Sequence, residues 1–266
     1  MTPTPWLVDA HAHLDRYEDA EIDGVLSELE EHRILTLAQA MDPDACARTR
    51  ELARGRPWIL PSFGVHPWHA HEWAGRLPEL RQQARESLLL GEVGLDHHFV
   101  KDTSRYPAQQ AVFECFLEVA RELDLVVNLH TKGAESEVAR LLETHGIRRA
   151  IVHWYSGPWR PFEALLAQGA CFTVGVGLLK SPRLEKLARR VPMDRLLTET
   201  DNPGAWQWLA GTPGPPSLLL QVVTRLASLR GLAETELVPR IQENLVRLLG
   251  PELLGPDLLR APAPPA

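Results

Sequence analysis

The sequence predicts an α/β fold, a single (β/α)8 TIM barrel with extra C-terminal helices, spanning residues 1–260 and followed by a short disordered tail at 261–266. Three observations predict it. Short apolar runs alternate with amphipathic segments along nearly all of the 266 residues, the pattern of repeated βα units around a buried parallel sheet. The apolar runs number eight. The glycine fingerprint that a doubly wound open sheet carries after its first strand is absent, and His11-Ala12-His13 stands in its place.

The strands are read in order from Trp6-Leu7-Val8, Ile34-Leu35-Thr36-Leu37, Trp58-Ile59-Leu60 and Leu88-Leu89-Leu90. The second half adds Leu125-Val126-Val127-Asn128-Leu129, Ala150-Ile151-Val152, Cys171-Phe172-Thr173-Val174 and Leu196-Leu197-Thr198. Helical periodicity fills the gaps. Val112, Phe113, Phe116, Leu117, Ala120 and Leu123 share one face between Ala108 and Leu123, as do Val138, Leu141 and Leu142 between Glu135 and His145. After strand eight, Ala205 to Ser217 carries Gly211, Pro213, Gly214, Pro215 and Pro216 and reads as a long loop. Two more helices are expected near Leu218 to Arg230 and Glu234 to Leu249.

A hydrophobic content of 44% supplies a substantial core. The net charge of −7 excludes a protein that coats nucleic acid through a broad basic surface, so any phosphate contact is local. Cys46, Cys115 and Cys171 are too far apart in sequence for a CxxC site and odd in number, which points to a reducing compartment. No basic and apolar leader and no run of about 18 apolar residues is present. The expectation is a cytoplasmic monomer without membrane contact.

Barrel chemistry gathers at the carboxyl ends of the strands. His11 and His13 leave the same side of the first strand, Glu92 follows the fourth, His130 closes the fifth, His153 closes the sixth and Asp201 follows the eighth. Imidazole and carboxylate suit Zn²⁺, Mn²⁺, Fe²⁺ or Mg²⁺, and six ionisable groups crowded without metal would be costly. A carboxylate able to bridge invites a second ion.

Several blocks resemble the TatD family of metal-dependent deoxyribonucleases, within the amidohydrolase superfamily. They are Asp9-Ala10-His11-Ala12-His13-Leu14-Asp15, Gly64-Val65-His66-Pro67, Gly91-Glu92-Val93-Gly94-Leu95-Asp96, His153-Trp154-Tyr155-Ser156-Gly157 and Glu199-Thr200-Asp201-Asn202-Pro203. Gln242-Glu243-Asn244-Leu245-Val246-Arg247-Leu248-Leu249 resembles the family's final helix, with Asn244 expected to make a structural hydrogen bond. The resemblance implies that His11, His13, Glu92 and Asp201 hold one divalent ion (Zn, Mg or Mn), and that Glu92, His130 and His153 hold a second. Glu92 would bridge. Two blocks depart from the family pattern: His130-Thr131-Lys132-Gly133-Ala134 replaces His-Ser-Arg-Asp-Ala, and Trp154-Tyr155 replaces Cys-Phe. Lysine keeps the positive charge but loses arginine's planar fork.

Two ions sharing a carboxylate would lower the pKa of a water and clamp an in-line phosphoryl displacement, with Asp201 as general base. His66 and Lys132 are expected to meet substrate phosphate, and Trp154 and Tyr155 to line the substrate pocket. Asp9, Asp96 and Glu199 are expected to orient the ligands. Trp68, Trp73, Trp154, Trp159, Trp206 and Trp208 sit in proposed rim loops, where bases could stack. The leading expectation is a two-metal nuclease acting near 3′ ends of DNA or on a small phosphoester. Hydrolysis of a carboxylic ester or amide, as in a D-aminoacyl-tRNA deacylase, and a noncatalytic scaffold that binds partner proteins from neighbouring genes both stay open.

Overall fold

The structure, a computed structural model, describes residues 5–254. Its strands are β1 (Leu7–Ala12), β2 (Ile34–Ala38), β3 (Ile59–Pro61), β4 (Leu89–Gly94), β5 (Val126–His130), β6 (Ala150–Val152), β7 (Cys171–Val174) and β8 (Leu196–Thr198). The helices of the first half are α1 (Ile22–Glu31), α2 (Pro43–Leu52), α3 (Ala70–Trp73), α4 (Leu77–Arg85) and α5 (Tyr106–Leu123). They continue as α6 (Glu135–His145), α7 (Trp159–Ala167), α8 (Pro182–Arg190), α9 (Gly204–Ala210), α10 (Leu218–Arg230) and α11 (Glu234–Leu249). Every strand is followed by at least one helix, the βα order that the apolar runs predict. The expected tail at 261–266 lies outside the described residues.

One element corrects the sequence reading. Residues 204–210 form α9 where a loop was expected from Ala205 onward. Gly204-Ala-Trp-Gln-Trp-Leu-Ala contains no proline, and the helix closes at Gly211, whose N–H meets Gln207 O at 2.9 Å. The prolines begin only at Pro213, so the breakers bound the helix without entering it.

The chain divides into two compact units. The first comprises residues 5–37, 52–60 and 174–254. In it β1, β2 and β3 are neighbours in that order. The Arg33 carbonyl accepts from Leu7 N–H at 2.9 Å, and the Trp58 carbonyl accepts from Thr36 N–H at 2.8 Å. Strand β8 reaches Val174, whose carbonyl takes the Glu199 N–H at 3.2 Å, and it also packs on β1, where Thr198 Oγ1 donates to Val8 O at 2.5 Å. Helix α11 lies against both β1 and β8 through its buried face, Leu237, Ile241, Leu245 and Leu248. Asn244 on that face donates to Met193 O at 2.6 Å and Leu196 O at 2.9 Å, which ties the helix to the start of β8.

The second unit comprises residues 38–51 and 61–173. Strands β4, β5, β6 and β7 are parallel neighbours in that order. Their residues are buried on both faces, as a parallel sheet covered by helices requires. Phe63, Phe113, Phe116, Phe162 and Phe172 are fully buried, each contributing roughly 1.5–3 kcal/mol of transfer free energy. The β4 to β5 ladder slips between Leu90 and Val93, so Gly91 and Glu92 leave the regular pairing. Their backbone is held from the other side: Gly91 N–H donates to Phe63 O at 3.0 Å and Glu92 N–H to Ala40 O at 2.8 Å.

Candidate metal centre

In the first unit the donors come from the end of β1 and the turn after β8. His11 Nε2 and His13 Nε2 lie 3.2 Å apart, both rings buried. Asp201 Oδ1 stands 3.7 Å from the former and 3.4 Å from the latter. Two ring lone pairs and a carboxylate oxygen this close need a proton or a cation among them. The backbone fixes the three: Asp201 N–H donates to His11 O at 2.8 Å, and His13 N–H to Asn202 O at 2.8 Å. Asp201 itself is held at φ 52°, an uncommon conformation that concentrates at functional positions.

Asp9 secures the same junction from below. Its Oδ1 accepts from Thr200 N–H at 2.9 Å and His11 N–H at 3.3 Å, and its Oδ2 accepts from Thr200 Oγ1 at 2.6 Å. Asp9 thus positions the main chain carrying His11 and Thr200. Burial drives its pKa up to about 7 against these hydrogen bonds. Glu199 is buried, with its side chain over Gly175. Thr200 was passed over in the sequence, although a hydroxyl between two acidic residues of a motif was the available signal.

In the second unit the donors converge on Glu92. Its Oε1 lies 2.8 Å from His130 Nδ1, 2.8 Å from His153 Nε2 and 3.4 Å from His66 Nε2. All four side chains are buried. His130 turns its other nitrogen, Nε2, to Asp96 Oδ2 at 2.9 Å. A ring that offers Nδ1 to a cluster while Nε2–H is bound to a carboxylate is the usual arrangement behind a metal-bound histidine. Asp96 also accepts from His98 N–H at 2.9 Å, Phe99 N–H at 2.7 Å and Trp68 Nε1–H at 2.7 Å. Burial alone would raise its pKa, but the hydrogen bond and charge of His130, with the Phe99 and Trp68 donors, hold it well below the usual carboxylate range. Helix α5 anchors the Asp96 main chain, since Gln109 Oε1 takes its N–H at 2.9 Å and Gln109 Nε2 donates to its carbonyl at 3.2 Å. His66 sits among the donors, 3.2 Å from His130 Nδ1, so it is placed as a donor as readily as a phosphate contact.

The remaining predicted contacts divide. Lys132 Nζ donates to Trp154 O at 2.5 Å and Ser156 Oγ at 3.1 Å, which braces the turn after β6. Trp154 is partly exposed at φ 38°, its ring 5.8 Å from Lys132 Nζ. Tyr155 is 2% exposed, packs on Phe162 and Phe172, and donates its hydroxyl to Pro158 O. Of the other tryptophans, Trp73 lies under Arg76, Trp159 packs edge-on against Phe162, and Trp206 faces Lys180.

Each donor group is chemically fit for a divalent cation: borderline nitrogen ligands with one carboxylate, the histidines and Glu92 buried and Asp201 partly exposed, and backed by further hydrogen bonds. The family model of TatD-related DNases matches residues 8–250. The chain belongs to that family. A curated TatD-family relative, the 3′-5′ ssDNA/RNA exonuclease TatD of Pantoea vagans, is 32% identical over 92% of this chain and 94% of its own. The uncharacterized metal-dependent hydrolase YcfH of Escherichia coli K12 is 30% identical over 91% of this chain and 95% of its own. Among solved structures, the TatD homologue YjjV of Escherichia coli K12 superposes with a TM-score of 0.82 at 24% identity, covering 91% of this chain and 97% of that one. That likeness shows the fold, the (β/α)8 class of the TatD proteins. No helix among the described residues is long and apolar enough to cross a membrane.

Proposed function

We propose that the chain is a metal-dependent phosphodiesterase that removes nucleotides from the 3′ ends of single-stranded DNA. The observation that carries the metal chemistry is the gathering of three imidazole nitrogens within 3.4 Å of one buried carboxylate oxygen, Glu92 Oε1. Family membership and the exonuclease name of the Pantoea relative support the choice of substrate.

On the family pattern, His11, His13, Glu92 and Asp201 would hold a divalent ion, as would Glu92, His130 and His153. Such ions, when bound, acidify water and offset charge on phosphate oxygens. The Asp201 carboxylate orients the attacking water and takes its proton. His66 binds a phosphate oxygen of the strand end. Asp96 keeps the proton of His130 on Nε2, so that Nδ1 stays available as a donor. Lys132 acts through the turn it braces, setting the position of Trp154. The net charge of −7 favours few phosphate contacts, so affinity should fall only shallowly with salt.

The test compares metal-dependent release of mononucleotides from 3′-ended single strands, blunt duplex and closed circular DNA, beside a carboxylic ester and a D-aminoacyl-tRNA. Release is expected from open single strands. Equal cleavage of circles would refute end recognition, and activity confined to the acyl substrates would overturn the nuclease assignment.

A further inference from the structure

We propose, building on the nuclease reading above, that Trp68 and Phe99 form a stacking corner for one unpaired base of the strand whose phosphate meets the Glu92 cluster. Trp68 is 41% and Phe99 53% exposed, and their rings meet edge to face with centroids 6.0 Å apart at 78°. Both are large rings left open beside buried polar chemistry. The Trp68 ring centroid lies 4.7 Å from that of His66 and 6.5 Å from that of His130. A base resting there belongs to a nucleotide adjoining the bound phosphate.

The corner is built in advance. Asp96 takes the Trp68 Nε1–H on the oxygen that also receives His130 Nε2, and its other oxygen takes the Phe99 N–H. One carboxylate therefore sets the indole, the phenyl-bearing segment and a donor histidine together. The indole has its polar edge satisfied inward, so what it presents outward is ring surface. A pre-set ring loses little entropy on stacking.

An unpaired base is the occupant because two rings offer area for about one heterocycle, far below the roughly 1,000 Å² that a specific protein interface needs. The charge balance argues the same way. A chain with seven more acidic than basic residues needs an uncharged source of affinity for a polyanion, and aromatic stacking supplies one that tolerates any base. Stacking also requires a base free of its duplex, which selects single strands.

The experiment uses the full chain with metal and a set of single strands that carry a tetrahydrofuran abasic residue at each of the last three positions in turn. Phe99→Ala and Trp68→Ala are expected to raise KM for the intact strand about tenfold. On the strand lacking the stacking base, where wild type already shows that penalty, the variants should add little further. Trp68→Phe, which keeps a ring but loses Nε1–H, should restore part of the discrimination. A second readout needs no turnover: adding a cleavage-resistant phosphorothioate oligonucleotide to the metal-loaded protein should quench tryptophan fluorescence in wild type and less in Trp68→Ala. If wild type degrades strands but the variants lose equally on intact and abasic substrates, or lose nothing, the stacking inference falls and the nuclease reading stands. If wild type neither cleaves nor binds any oligonucleotide, the nuclease reading itself has failed.

Discussion

Asp201 occupies the left-handed region at φ 52°, where aspartate and asparagine are tolerated better than other side chains. Asp201→Asn therefore keeps the backbone and the volume while removing the charge that would take a proton. Turnover is expected to fall by about 100-fold or more with the melting temperature nearly unchanged. Unchanged turnover at full metal content would eliminate Asp201 as the base. Tyr17 gives a prediction about pH. Burial, reinforced by nearby Asp9, Glu28 and Glu21, raises its pKa beyond the usual phenol range, and its hydroxyl donates to Gly214 O at 2.5 Å. The folded state thus holds this proton more tightly than the unfolded chain. Its contribution is full below about pH 10, where the unfolded phenol stays neutral, and is lost above it by up to about 1.4 kcal/mol per pH unit. Urea midpoints from pH 8 to 11 should decline less steeply in Tyr17→Phe, and identical slopes would refute the assignment.

At the level of elements, the break in β4 is what turns Glu92 out of the ladder, and it depends on bare backbone at Gly64. A Cβ there would come within 2.6 Å of both Glu92 N and Glu92 O. Gly64→Ala is expected to cost about 2 kcal/mol or more and to weaken metal retention, because relief requires moving the Glu92 peptide. Gly146 is the control. It ends α6 at φ 67° with nothing within 4 Å of an added Cβ, so Gly146→Ala should cost about 1 kcal/mol and leave metal content intact. Denaturant midpoints and metal analysis of the two variants side by side decide the matter. Equal metal retention would show that Gly64 matters only for stability. The strands were legible in the sequence because apolar runs with helical spacing between them leave few alternatives, and the two C-terminal helices match their predicted bounds at Leu218–Arg230 and Glu234–Leu249. Helix α9 was not, because the glycine and proline density after Gly211 masked the helix-forming residues before it.

For the molecule as a whole, the three cysteines report on opening. Cys46, Cys115 and Cys171 are 2%, 8% and 2% exposed, and burial pushes the thiols of Cys46 and Cys115 up. A thiol reagent should leave the native protein nearly untouched and titrate all three cysteines in urea, with a native rate that tracks unfolding. Rapid modification of one cysteine before unfolding would contradict its burial. The donors were readable from the sequence because strand ends are where such a fold gathers chemistry. What held them was not. The Asp9 grip on Thr200 joins segments 191 residues apart, so nothing local in the sequence names Asp9 as the partner of that hydroxyl. The same holds for Gln109, which reaches from α5 to both main-chain polar groups of Asp96, the residue that in turn aims His130. Anyone wishing to transplant the Glu92 cluster into another scaffold would therefore need to move β4 together with the helix behind it, because three histidines and a glutamate copied alone would arrive without the frame that points them.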